Sequence, residues 1–73
     1  MKTYANNDDC TVVADQILRE TEKAILCDFH DREVWLPLSE IVARDGDIGD
    51  WKITITIPFW LVEKNELEDF IED

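Results

Sequence analysis

The residues at 51–57 constrain the fold most, because apolar and polar side chains alternate strictly along them. In an extended chain, successive side chains point to opposite faces. One face would carry Trp51, Ile53, Ile55 and Ile57, and the other Lys52, Thr54 and Thr56. This alternation predicts a strand in a sheet with one buried and one solvated face. Pro58 ends the alternation and suits the first position of a helix, so a short helix over residues 59–64 is predicted to follow.

The chain before this strand predicts further strands joined by short turns. Residues 10–20 favour an extended chain. Four apolar residues of that segment could instead form the stripe of a short helix: Val12, Val13, Ile17 and Leu18. Apolar runs at 23–29 and 33–36 follow, and Pro37 stops the second because it cannot donate to a ladder. Three strands at this spacing indicate a meander, and a connector with one helical turn leads to a brief strand at 41–42.

These patterns predict a mainly β (α+β) fold, a small antiparallel meander or partly open barrel of four to five strands with a short C-terminal helix. With 73 residues, the chain is too short for two domains. We divide it into a flexible N-terminal arm (1–9), a single β-rich domain (10–67) and an acidic tail (68–73). The helix could end at Asn65, which tolerates a left-handed conformation, with Leu67 folding back onto the last turn. Alternatively, it could continue to Ile71.

The acidic excess of the chain excludes several functions. Eighteen Asp and Glu residues against seven Lys and Arg residues give a formal net charge of −11. Nucleic acids and anionic membranes both attract basic surfaces, so we expect direct binding to neither. The sequence has no apolar run of about 18 residues that would predict a transmembrane helix, and its polar N-terminus does not read as a signal peptide.

The two cysteines indicate a reducing compartment. Cys10 and Cys27 are too few for the disulfide framework of a small secreted domain, and their spacing fits no Cys-x-x-Cys metal pair. Cys27 lies in an apolar run, where cysteine behaves as a small buried hydrophobe. We therefore expect reduced thiols and a cytoplasmic protein. A domain of this size has a thin core, so self-association is the expected supplement to its stability.

No motif predicts catalysis or metal binding. His30 lies three residues from Cys27, and an odd separation on a strand points the two side chains to opposite faces, so we interpret it as a turn residue. The loop at 45–50 resembles a calcium loop because it combines glycines with three carboxylates. The EF-hand spacing is absent, however, and turn chemistry explains the same residues. We predict no enzyme activity, no cofactor and no metal.

The apolar residues of the predicted helix exceed what one small core needs. Phe59, Trp60, Leu61 and Val62 are consecutive and would cover nearly every side of a short helix. We expect Trp51 and either Phe59 or Trp60 to close the sheet onto the helix. The remaining apolar surface predicts a homodimer formed through these four helix residues, with a site for another protein as the alternative.

Three segments resemble a pattern in short uncharacterised proteins of bacteriophages and mobile elements: ETEKAIL at 20–26, WLPLSEI at 35–41 and IPFWLVEK at 57–64. The resemblance covers residues 17–67. It implies a viral or prophage origin and a compact β-rich fold that ends in a helix, and it implies no catalytic residue. Where those proteins carry glycine after the final lysine, this chain has Asn65. The acidic extension after Leu67 is peculiar to this chain.

The acids form two dense groups along the sequence. The larger group, here called the tail acids, comprises Glu63, Glu66, Glu68, Asp69, Glu72 and Asp73. The smaller group, the loop acids, comprises Asp45, Asp47 and Asp50. Carboxylates arranged like the phosphates of a duplex could occupy a basic nucleic-acid-binding site on a host protein. Such binding would be fast and sensitive to salt.

The leading hypothesis is therefore a small acidic phage-type protein of the host cytoplasm. It would bind and inhibit or modulate a host nucleic-acid-handling protein, such as a restriction or CRISPR component, through its acidic face. A second hypothesis is that it sequesters a small nucleotide-like signalling ligand between subunits, with tryptophan stacked on the base. Few basic residues are available to bind a phosphate, which argues against this second hypothesis. A third is a purely structural, bridging phage protein.

Overall fold

The computed structural model describes residues 8–30 and 32–72, which form a mainly β structure. Six strands lie in this part of the chain: β1 (Asp9–Ala14), β2 (Gln16–Glu20), β3 (Ala24–Phe29), β4 (Arg32–Pro37), β5 (Ala43–Asp45) and β6 (Ile53–Pro58). They form two three-stranded antiparallel sheets, in the orders β1-β6-β5 and β2-β3-β4. The helix α1 (Phe59–Lys64) follows β6, and single 3₁₀ turns occur at Leu38–Glu40 and Glu68–Phe70.

The predicted mainly β class with a short C-terminal helix is confirmed. The predicted number of four to five strands is wrong, because there are six, and they are divided between two sheets that do not form a closed barrel. The sheet β2-β3-β4 is a meander of the kind predicted. The brief strand predicted at 41–42 begins one residue after that segment, at Ala43.

The division into two sheets occurs at Asp15, inside the segment predicted as one strand. The Asp15 N–H donates to the Asp28 carbonyl at 2.8 Å, and its carbonyl accepts from the Lys52 N–H at 2.7 Å. β1 therefore pairs with β6, whereas β2 pairs with β3. This bend lets one continuous segment contribute to both layers, which enclose the core between them.

β6 has the alternation predicted for it, but it is shorter than predicted. Ile53, Ile55 and Ile57 are buried, and the threonines between them lie on the opposite face. The prediction is wrong for Trp51, which is 63% exposed and lies outside the strand. The reason is the positive φ of 63° at Lys52, which ends the extended conformation before Trp51 is reached.

Helix α1 ends at Lys64, so the alternative continuation to Ile71 is wrong. Asn65 has φ −100° and is not the left-handed residue. That residue is Glu66, with φ 56°. The Leu67 N–H donates to the Val62 carbonyl at 2.9 Å, and the Glu66 N–H donates to the Glu63 carbonyl at 3.1 Å. These bonds form a Schellman motif. Leu67 is fully buried, so the predicted fold-back onto the last turn is confirmed.

The segment predicted as an acidic tail packs against the sheet as far as residue 72. Ile71 forms an antiparallel bridge with Val12, and the Glu72 N–H donates to the Thr11 carbonyl at 2.8 Å. The Phe70 ring lies 5.3 Å from that of Phe29. Most of the predicted N-terminal arm (1–9) lies outside the described residues, but Asp9 is the first residue of β1.

The core consists of the inward faces of both sheets together with one side of α1 and Leu67. Its residues are Cys10, Val12, Ala14, Ile17, Ile25, Cys27, Phe29, Val34, Leu36, Ile53, Ile55, Ile57, Leu61, Val62 and Leu67. Burial of each large aliphatic side chain contributes about 1.5–3 kcal/mol. Both cysteines belong to the described part of the chain, and no disulfide joins them.

Candidate functional site

The tail acids are held at the surface by the end of α1 and the 3₁₀ turn that follows it. Those within the described residues are all exposed: Glu63, Glu66, Glu68, Asp69 and Glu72. Asp73 lies outside the described residues. The buried Leu67 and the bridge from Ile71 to Val12 fix this segment on β1. The carboxylates are therefore presented from an anchored backbone.

The charges of these tail acids are not neutralised by ion pairs among the described residues. The ion pairs there join Arg44 to Glu20 and Asp47, and Lys52 to Asp15. Arg32 does approach the tail, but its Nη1 donates to two backbone carbonyls, those of residues 65 and 66, at 3.2 Å each. Arg32 offsets part of the local negative charge while leaving the tail carboxylates open to solvent.

The loop acids are largely engaged in forming the turn between β5 and β6. The Asp47 carboxylate accepts from Arg44 Nη2 at 3.0 Å. The Asp50 carboxylate accepts from the Asp47 N–H at 2.9 Å, and the Asp50 N–H donates back to the Asp47 carbonyl at 3.0 Å. Asp45 is exposed at the end of β5. Among the described residues, no set of three His, Cys, Asp or Glu side chains is placed to hold a metal ion.

The structure does not merge the two acidic groups into one patch. The tail bridges to β1, whereas the loop acids adjoin β5 at the other end of the order β1-β6-β5. With about 4.8 Å between neighbouring strands, three steps separate the two lines of chain by roughly 14 Å. The surface between them is hydroxylic, since Thr11 Oγ1 and Thr56 Oγ1 lie 2.9 Å apart. The tail is therefore the principal acidic surface and the loop a flanking one.

The apolar residues predicted to mediate self-association are mostly taken up by the core. Leu61 and Val62 are buried, and Phe59 is half-buried against the core. Trp60 is the exposed member of the four, at 39%. The core therefore takes Leu61 and Val62, because α1 packs against β6 and β1, and only Trp60 and part of Phe59 are left at the surface for the predicted self-association.

A more exposed apolar surface lies on β4, outside the site residues predicted from the sequence. Trp35 is 48% exposed, whereas its neighbours Val34 and Leu36 are buried. Leu26, directly opposite Trp35 on β3, also points outward. The alternation of residues 33–36 could have identified Trp35 as a surface residue, because it lies out of phase with the two aliphatic residues.

An open cleft of about 330 Å³ lies between the tail and the start of β6. Its lining comprises Val13, Asp15, His30, Lys52, Asp69, Phe70 and Ile71. Lys52 Nζ lies 2.6 Å from Asp15 Oδ1, so the cation of the cleft is already paired. Because Asp69 also lines the cleft, the cleft has no surplus of positive charge for a phosphate.

The possible pairing of Cys27 with His30 fails on geometry and on charge state. Cys27 is buried inside the core, whereas His30 is exposed in the turn after β3, with φ 65°. Burial raises the pKa of the Cys27 thiol to about 12, although the charge of Arg44 acts in the opposite direction. A buried thiol that stays protonated is not a nucleophile.

Comparison with protein-family models, curated proteins and solved structures found no significant match. The site is therefore interpreted from its own geometry. In the part of the chain that the structure describes, the helices fall far short of the length and apolar character needed to cross a membrane.

Proposed function

We propose that this chain is a small acidic protein that binds a nucleic-acid-handling protein and inhibits or modulates it by occupying its basic site. The tail acids form the main contact, and the loop acids flank it. The resemblance to short bacteriophage proteins makes a host defence protein, such as a restriction or CRISPR component, the proposed partner class. The site of action is then the host cytoplasm.

The observation that carries this proposal is that the tail acids, which lie close together in the sequence, are exposed and have no ion-pair partners among the described residues. An acidic surface that served only to keep the protein dispersed could be scattered, and its charges could be balanced by nearby lysines. Here the chain places its ion pairs elsewhere, at Arg44 and Lys52. Concentrated like charge opposes folding, so its presence supports a role in binding a cationic partner.

The anchoring of the tail supports the same proposal. A flexible acidic tail would lose conformational entropy on binding. The tail up to Glu72 is already ordered by the bridge at Ile71 and by the burial of Leu67. The backbone that carries these carboxylates is therefore ordered before the partner arrives.

The cleft beside Lys52 supports a second candidate, the capture of a small ligand. Trp51 is exposed next to it, and Lys52 Nζ lies 5.6 Å from the Trp51 ring centroid. The ligand would not be a nucleotide, however, because Asp15 neutralises Lys52 and Asp69 would repel a phosphate. A structural, bridging role has no specific feature of its own in the described residues, so partner binding remains our proposal.

Affinity capture from a host lysate tests the proposal. The immobilised full chain is compared with a tail variant, Glu68→Gln, Asp69→Asn and Glu72→Gln, and with a charge-matched control, Glu22→Gln, Asp28→Asn and Glu40→Gln. None of these six side chains takes part in an ion pair among the described residues. The captured proteins are washed at low salt and then eluted with about 0.5 M NaCl, which screens surface charges.

We expect the unmodified chain and the control variant to retain a nucleic-acid-binding protein at low salt. It should be released at high salt and lost by the tail variant. A partner that is retained equally at both salt concentrations, or that binds the tail variant as well as the control, would contradict the proposal.

A further inference from the structure

The four outer strands of the two sheets differ in how their open edges are protected. The edge of β1 is bridged by Ile71, and β5 has only three residues. β2 contains a β-bulge between Ile17 and Arg19. β4 has six residues, pairs with β3 in unbroken register and carries the exposed Trp35. Proteins usually blunt long regular edges, because an open edge is a template for another strand.

The register shows which backbone groups of β4 face outward. Phe29 pairs with Arg32 across a two-residue turn, and the Leu38 N–H donates to the Lys23 carbonyl at 2.8 Å. In an antiparallel ladder only every second residue exchanges hydrogen bonds with a given neighbour. The residues that bond to β3 are therefore 32, 34 and 36, and the N–H and C=O groups of Glu33 and Trp35 point away from it. No described residue bonds to these groups.

From this geometry we infer that β4 pairs with β4 of a second copy of the chain, antiparallel and about a two-fold axis at Trp35. The two sheets β2-β3-β4 then form one continuous six-stranded sheet. Each Trp35 exchanges two backbone hydrogen bonds with the same residue of the other copy. Each Glu33 N–H donates to the Pro37 carbonyl of the other copy. Pro37 has no N–H to give, so the interface contains four such bonds.

The side chains of β4 suit this pairing with itself. Directly opposed residues that exchange hydrogen bonds have Cα atoms about 5.5 Å apart, so the two Trp35 rings come within stacking reach. Glu33 lies opposite Pro37 and not opposite a second carboxylate. Along the strand direction, Glu33 of one copy lies four residues from Glu33 of the other, which is about 13 Å. Salt screens the repulsion between the two carboxylates over this distance. The strand is thus complementary to its own copy.

The inferred interface is tested by the oligomeric state of the full chain and of two matched variants. Glu33→Ala removes the carboxylate and keeps the outward backbone N–H. Glu33→Pro removes both the carboxylate and this N–H. Neither change touches the hydrogen bonds to β3. Sedimentation equilibrium from about 10 μM to about 1 mM protein gives each dimer dissociation constant. Hydrogen exchange of the Glu33 and Trp35 amides at both ends of this range locates the interface.

We expect the Glu33→Ala variant to dimerise at least as tightly as the unmodified chain. The Glu33→Pro variant should dimerise at least about tenfold more weakly, since it loses two hydrogen bonds per dimer. Trp35→Lys should abolish the dimer and Trp60→Lys should not, which keeps the test valid if the proline variant fails to fold. A monomer throughout, amide protection that is independent of concentration, or a dimer that only Trp60→Lys dissociates would overturn the inference.

Discussion

Glu66 ends helix α1 in a backbone conformation that is costly for any residue with a Cβ atom. Its φ of 56° lies in the left-handed region, where most L-residues lose about 1 kcal/mol relative to glycine. We expect Glu66→Gly to raise the free energy of unfolding by about 1 kcal/mol relative to Glu66→Ala. Both variants remove the carboxylate, so their difference isolates the backbone term. Urea denaturation monitored by tryptophan fluorescence provides the measurement.

Asn65 supplies the control for this prediction. Its φ is −100°, and its side-chain Nδ2 donates to the Leu61 carbonyl at 3.1 Å. Asn65→Gly should therefore destabilise the protein by about 1 kcal/mol. A stabilising Asn65→Gly together with a neutral Glu66→Gly would place the left-handed residue at 65 instead.

Cys27 gives the folded protein a pH dependence above neutrality. Burial raises the pKa of its thiol from 9.0 to about 12. Below pH 9 the thiol is protonated in both states and its contribution to stability is complete. Between about pH 9 and pH 12 only the unfolded chain ionises, so the free energy of unfolding falls by at most about 1.4 kcal/mol per pH unit.

Denaturation at pH 8 and at pH 10.5 under reducing conditions checks this sign against Cys27→Ala. The variant is less stable at pH 8, because it loses buried volume. Its further loss between the two pH values should be smaller than that of the unmodified chain, because the two proteins share all other titratable groups and only the unmodified chain contains this buried thiol. Equal losses would show that the thiol ionises freely in the folded state.

At the scale of elements, the loop between β5 and β6 depends on its two glycines to different degrees. Both have positive φ, 118° at Gly46 and 96° at Gly49. A Cβ atom at Gly46 would overlap the Ile53 side chain and lie 2.9 Å from the Ile53 Cβ, whereas one at Gly49 would meet nothing within 4 Å. We expect Gly49→Ala to cost about 1 kcal/mol of stability and Gly46→Ala about 3 kcal/mol.

Thermal denaturation of the two alanine variants measures this difference, with Gly49→Ala as the matched control for backbone strain. Equal losses of stability would mean that the loop moves away from Ile53 without penalty. In that case the turn would not fix the start of β6.

The strands with clear alternation could be predicted from the sequence, but the points where the chain changes sheet could not. The isoleucines of β6 face the core as their spacing indicates. The division of 10–20 at Asp15 depends on hydrogen bonds to Asp28 and Lys52, which are distant in sequence. Trp51 continues the apolar pattern, yet the positive φ of Lys52 removes it from the strand. Neither local composition nor periodicity encodes such tertiary bonds.

The candidate site shows the same limit. The tail acids could be found from sequence because charge needs no folding to be recognised. That two of the loop acids bind within their own turn, through Arg44 and a backbone N–H, could not be predicted from their spacing. Which of the four apolar helix residues the core would bury could not be predicted either, because a run of consecutive apolar residues does not show which side of a short helix faces the sheet.

At the scale of the whole molecule, the net charge of −11 sets the balance between stability and binding. If the tail acids serve a partner, the free protein tolerates their mutual repulsion. The tail variant with Glu68→Gln, Asp69→Asn and Glu72→Gln should therefore unfold with a free energy about 0.5–1 kcal/mol higher at low salt. That gain should shrink as salt screens the remaining charges. A tail variant less stable than the unmodified chain would assign these carboxylates a structural role.

The central claim is that the acidic tail takes the place of nucleic acid in a basic site. Its most direct test is competition on the captured partner, with fluorescent duplex DNA bound to that protein and the full chain added at increasing concentration. We predict complete displacement by the unmodified chain and by the charge-matched control. The tail variant should displace the DNA at least tenfold less effectively. Simultaneous binding of duplex and chain, or equal displacement by all three proteins, would contradict the account.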